Sequence, residues 1–126
     1  KPMFGTHLLI VDESNLNPEW GDLAIKYENY PTLEAIMVAY PDATYVYLEA
    51  ERNIPEGMPF TWLNEFEHPA ADVIYVTRCD ESVLPLSTLP MEGNYVVSVN
   101  TVNSFAMWAV VIAGIVLYDR KVKGGY

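Results

Sequence analysis

One cysteine, two histidines and seven lysine or arginine residues are the scarce components of this 126-residue chain. Cys79 stands alone, which excludes an intrachain disulfide and a cysteine-rich zinc site. His7 and His68 lie far apart, with no companion ligand at metal spacing, so no metal site is expected. Gly21, Gly57 and Gly93 are isolated, so neither a phosphate loop nor a dinucleotide fingerprint can be drawn. The longest apolar run, Phe105 to Tyr118, falls short of the roughly 20 residues that span a bilayer as a helix. No basic region followed by an apolar run opens the sequence, so a signal peptide is not read and a cytoplasmic location is expected. Base is outnumbered by acid, 7 residues to 17, for a net charge of −10. That balance opposes broad nucleic-acid binding, which needs a basic surface to release counterions.

What is present is a hydrophobic content of 51%, enough for a core and too high for disorder. The length fits one domain, residues 1–126. Four runs read as strands: His7 to Asp12, Thr44 to Glu49, Asp72 to Thr77 and Tyr95 to Asn100. Glu19 to Glu28 can be helical after Pro18, and Thr32 caps a short helix over Leu33 to Tyr40. Phe60 to Phe66 has room for one helical turn. Arg78 to Pro90 is irregular, because Pro85 and Pro90 limit any helix. Strands alternating with helices predict an α/β fold with a mainly parallel sheet flanked by helices and covered on both faces.

The segment from Phe105 to Tyr118 has no polar stripe. Phe105, Trp108, Val111, Ile112, Ile115 and Leu117 cover every side of a helix, and a helix apolar all round must be buried all round. So small a chain has difficulty burying one helix completely, so a homodimer packed through Phe105–Tyr118 is expected. Arg120, Lys121 and Lys123, the one cluster of positive charge, complement the helix macrodipole.

In parallel α/β folds ligands bind beyond the carboxyl ends of the strands. Here those ends are Asp12-Glu13, Glu49-Ala50, Thr77 to Asp80 and Asn100 to Asn103. The polar cluster Asn100 to Ser104 opens the last helix, so it serves either as an N-cap or as a ligand loop. Cys79 beside Arg78 is a candidate thiol nucleophile, although Asp80 and Glu81 oppose a lowered pKa.

The order of parts resembles the SpoU branch of the SPOUT superfamily. The resemblance is carried by Glu65-Phe-Glu-His-Pro69, by Asp72 to Thr77, by Gly114-Ile-Val-Leu-Tyr-Asp119 at the end of the last helix, and by Asn17-Pro-Glu-Trp-Gly-Asp-Leu-Ala24 near the start. It implies a parallel sheet with a C-terminal trefoil knot, an obligate dimer, and S-adenosylmethionine-dependent methylation of ribose hydroxyls in tRNA or rRNA. Under it, S-adenosylmethionine would lie among Thr77, Arg78, Asn100, Thr101, Asn103 and Ser104. Lys26 or Arg78 would ease loss of the hydroxyl proton or hold a phosphate.

The sequence departs from that family in named places. The arginine after the first motif is absent, and Lys26, the nearest basic residue, lacks a planar fork. Thr77-Arg78-Cys79-Asp80 replaces the family's Gly-x-Glu, and Val99-Asn100-Thr101 stands where Ile-Pro-Met closes a strand. Two functions are therefore expected to compete: a minimal or diverged methyltransferase, and a non-catalytic binding or regulatory protein that keeps the fold. RNA is the family's substrate, and the net acidic charge disfavours it here.

Overall fold

The computed structural model describes residues 8–11, 27–70, 72–78, 83–99 and 109–124. The chain divides into two compact units, Lys1–Asp42 and Ala43–Tyr126.

In the first unit, β1 (Leu8–Val11) pairs in parallel with β2 (Tyr27–Tyr30), Leu8 opposite Tyr27 and Val11 opposite Tyr30. The helix expected over Glu19 to Glu28 is overturned at its end, since Tyr27 and Glu28 lie in β2. Aromatic residues at both ends of Tyr27-Glu-Asn-Tyr30 favour extended backbone, and pairing with β1 decides the matter. The helix α1 (Leu33–Ala39) forms as expected: the Thr32 hydroxyl accepts from the Ala35 amide at 3.1 Å. Its exit is closed by the Tyr40 amide on the Ile36 carbonyl at 2.8 Å. The Tyr30 and Tyr40 hydroxyls converge on the Glu28 carboxylate, at 2.9 Å from Tyr30 and 2.9–3.0 Å from Tyr40.

The second unit is built on a four-stranded parallel sheet of β3 (Thr44–Leu48), β4 (Thr61–Trp62), β5 (Val73–Val76) and β6 (Tyr95–Ser98), in the order β4-β6-β3-β5. The three strands expected in this region form where the β-branched and aromatic runs placed them. Register sets Val46 against Tyr75 and Tyr95, and Leu48 against Val97. Side chains alternate across a strand, so Val46, Leu48, Tyr75 and Val97 share one face while Tyr45, Tyr47, Val96 and Ser98 share the other.

The first face is covered by α2 (Ala109–Gly124). Ile112 and Val116 of α2, one turn apart, join Val46, Leu48, Leu63, Phe66 and Val97 in a single buried cluster. Each such side chain contributes about 1.5–3 kcal/mol through burial. Helix boundaries differ from expectation. The helix runs through Asp119 to Gly124, and residues 105–108 lie outside those described. Within the single chain, Val111, Ile115, Tyr118 and Val122 are exposed. The helix is thus apolar on both faces and packed within the chain on one.

Within the second unit's described residues, the other face is covered by irregular chain. The segment 83–91, with a 3-10 turn at Leu86–Thr88, buries Leu84, Leu86 and Leu89. Tyr47, fully buried, donates from its hydroxyl to the Pro90 carbonyl at 2.9 Å. That burial pushes its phenol up to about 12. Asn94 accepts from the Tyr45 amide at 2.8 Å and donates to Pro90 at 3.1 Å, closing the amino edge of the sheet. Gly93 precedes Asn94 at φ 77, a left-handed conformation that a side chain disfavours. Phe60 to Phe66 contains the short strand β4 followed by a 3-10 turn at Leu63–Glu65.

Candidate functional site

Two places in the second unit gather polar chemistry. The first is the carboxyl edge of the sheet. After β5 the chain passes to the 83–91 segment on the Tyr47 face; after β6 it passes to α2 on the Val46 face. In the sheet β3 lies between β5 and β6. The next described segments after the two neighbours of β3 thus lie on opposite faces of the sheet, and it is at such a switch in strand order that α/β folds place their ligands.

Glu49 occupies that position. Its side chain is buried and fully engaged: Oε1 accepts from the Ala50 amide at 2.9 Å and from Asn53 Nδ2 at 3.3 Å, and Oε2 accepts from the Leu84 amide at 2.9 Å. The carboxylate ties the turn after β3 to the 83–91 segment rather than offering itself to a ligand. Thr77, half-buried, and Arg78, exposed, follow β5 at the same edge. On the other side of β3, the buried Ser98 hydroxyl has no hydrogen-bond partner, and Val99 packs against the core. Of the expected ligand and catalytic residues, Thr77 and Arg78 therefore stand together. Lys26, Cys79, Asn100, Thr101, Asn103 and Ser104 lie outside the described residues, as does His7.

The second place was not expected from sequence, where His68 stood without metal companions and as one member of Glu65-Phe-Glu-His-Pro69. The His68 side chain is 1% exposed and lies between β5 and α2. Its Nδ1 is 2.7 Å from the Tyr75 hydroxyl and its Nε2 is 2.7 Å from Asp119 Oδ2. Arg120 donates to the Tyr75 hydroxyl at 3.0 Å, and Lys123 pairs with Asp119 at 2.9 Å. Lys123 also donates to the Leu63 and Phe66 carbonyls. Only one proton arrangement satisfies every partner. A carboxylate can only accept, so Nε2 carries the hydrogen; Nδ1 then accepts from Tyr75, whose oxygen accepts from Arg120. The imidazole is neutral in this chain of bonds. Burial lowers its pKa, Lys123 and Arg120 push the same way, and Asp119 opposes them. Burial raises the Tyr75 phenol, against the pull of Arg120. Beside the network lies an open concavity of about 530 Å³, lined by residues 64–68 with Lys123 and Gly124.

The chain matches no protein-family model, no curated protein and no solved structure with which it was compared.

The described residues thus offer a hydroxyl and a cation following β5 at the carboxyl edge, and a polar network that joins β5 to α2. Among the described residues, no group of three or more His, Cys, Asp or Glu could hold a metal ion, and no helix is long and apolar enough to cross a membrane. A faint signal of the network was present in the sequence. Asp119 and Lys123 stand four apart on one helix face, and strand alternation puts Tyr75 on the face that α2 covers.

Proposed function

We propose that the second unit binds a small polar ligand in the crevice at the carboxyl end of β3. Following the SpoU-like motifs, we propose that the ligand is S-adenosylmethionine and the activity methyl transfer to a ribose hydroxyl of tRNA or rRNA. The observation that carries the reading is the divergence of the chain around β3, with Thr77 and Arg78 at its rim. The donor set fits the ligand: an exposed guanidinium suits an aminoacyl carboxylate, and the Thr77 hydroxyl can meet a ribose hydroxyl or an adenine nitrogen. When bound, S-adenosylmethionine supplies an electrophilic methyl group. The protein's own task is then alignment of the acceptor hydroxyl and help with its proton. Arg78 is the described residue placed to lower that hydroxyl's pKa or to hold the adjoining phosphate, a role shared with Lys26 in this reading. Asn100, Thr101, Asn103 and Ser104 complete the ligand loop, and a C-terminal knot of SPOUT type belongs to the same proposal.

One observation favours the second reading, a binding or regulatory protein without turnover. Two of the three C-terminal cations are drawn inward, Arg120 by Tyr75 and Lys123 by Asp119 and two carbonyls. They are thereby spent on the fold rather than on RNA phosphates. Titration calorimetry with S-adenosylmethionine, paired with a tritium-transfer assay on tRNA and rRNA, separates the readings. Heat with transfer supports the enzyme and heat without transfer the binder. No heat at millimolar ligand sinks both as stated.

The partner in either reading is a second copy of the chain. Val111, Ile115, Tyr118 and Val122 recur at intervals of four, three and four, the seam spacing of packed helices. Gly114 lies beside them with open space where a Cβ would stand, which lets a second backbone come close. The seam overlaps the Phe105–Tyr118 segment expected to form the interface.

A further inference from the structure

We propose that His68, Tyr75, Asp119, Arg120 and Lys123 form a latch that holds the last turns of α2 on β5 and on the 63–68 segment while His68 is neutral, and releases them when it is protonated. The inference is independent of any ligand at the carboxyl edge. It follows from the direction of the hydrogen bonds. Arg120 donates to Tyr75, Tyr75 to His68, and His68 to Asp119, which also accepts from Lys123. Both ring nitrogens and the phenolic hydrogen are each matched by one partner. A proton on Nδ1 reverses one link. Two donors, Arg120 and His68, then point at the Tyr75 oxygen, and the phenolic hydrogen loses its acceptor in a half-buried site.

The groups facing the imidazole come from three elements. They are the Tyr75 hydroxyl from β5; Asp119, Arg120 and Lys123 from α2; and the edge of the Phe66 ring, 5.0 Å between centroids, from its own segment. Glu65 and Glu67 of that segment are exposed. Three of these residues lie within five positions at the end of α2, so a proton on His68 bears directly on its links to Tyr75 and Asp119 and adds charge beside Arg120 and Lys123. Phe66, one of the two residues whose carbonyls Lys123 joins, lines the concavity together with Lys123 itself, so loosening the helix end opens it further.

The sign is fixed by burial, which holds the folded imidazole below its ordinary value of about 6.5. The stability it contributes is fully present above that value and is lost as pH falls through the folded pKa.

Nitrogen NMR of the full chain and amide exchange of residues 116–122, between about pH 7.5 and pH 5, test the latch. At neutral pH His68 is expected as the Nε2–H tautomer. As it titrates, protection of these amides, corrected for intrinsic rates, is expected to fall about tenfold for each unit between its folded and unfolded pKa. The His68→Gln variant keeps a donor toward Asp119 and cannot titrate, so its helix end should show no such step. An Nδ1–H tautomer, titration that leaves the protection unchanged, or an equal step in His68→Gln would each overturn the proposal. If that variant does not fold, the wild-type tautomer and the coincidence of its two titration curves still decide.

Discussion

Replacing Glu49 tests how the carboxyl edge is held. Two of its three donors are backbone amides, Ala50 on one oxygen and Leu84 on the other. These donors remain whatever residue stands at 49. A glutamine has one carbonyl oxygen and satisfies one of them, turning its own N–H₂ toward the other. A hydrogen bond to a charged group is worth about 1.5–3 kcal/mol, and a buried amide left unpaired costs about 1–3 kcal/mol. Glu49→Gln is therefore expected to lose about 2–4 kcal/mol. Glu49→Leu orphans both amides and is expected to lose about 2 kcal/mol more. At roughly 4 °C per kcal/mol for a chain of this size, the glutamine variant melts roughly 8–15 °C lower. Urea unfolding followed by circular dichroism and tryptophan fluorescence measures both variants. A glutamine variant within about 0.5 kcal/mol of wild type, or equal losses for the two, would refute the clamp.

Arg78→Ala should weaken S-adenosylmethionine binding at least about tenfold in calorimetry, through loss of a charge-assisted bond, while stability stays within about 0.5 kcal/mol because the residue is exposed. Tyr118→Asp should convert a dimer to a monomer in analytical ultracentrifugation without unfolding it, since the ring is 62% exposed; an unchanged sedimentation coefficient would remove α2 from the interface. Ser98→Ala should be neutral or stabilising by up to about 1 kcal/mol in urea unfolding, because the buried hydroxyl has no hydrogen bond to lose.

Much of the scaffold was legible because its signals are local. The runs Thr44-Tyr-Val-Tyr-Leu48 and Val73-Ile-Tyr-Val76 are β-branched or aromatic at every position but one, and Thr32 announces α1. The rest depends on tertiary pairing. Tyr27-Glu-Asn-Tyr30 and Thr61-Trp62 carry too short a signal to stand as strands until β1 and β6 supply the partners. The end of α2 was misplaced because polar residues at 119–123 look like solvated sequence, whereas Asp119, Arg120 and Lys123 are tied to other elements. The edge at Thr77–Arg78 could be found from strand order alone. The His68 network could not, because its members come from β5, α2 and the connection between β4 and β5.

The pairing pattern governs how this molecule comes together. Thr61 meets Val97, and Val46 meets both Tyr75 and Tyr95, so the larger sheet contains no hairpin and no contact that closes cheaply. Its assembly waits on distant stretches finding each other, which places the chain among slow folders. An amino-terminal product of premature cleavage anywhere before Tyr95 would lack the strand that bridges β3 and β4, leaving β4 with no partner in the sheet and β3 paired with β5 alone.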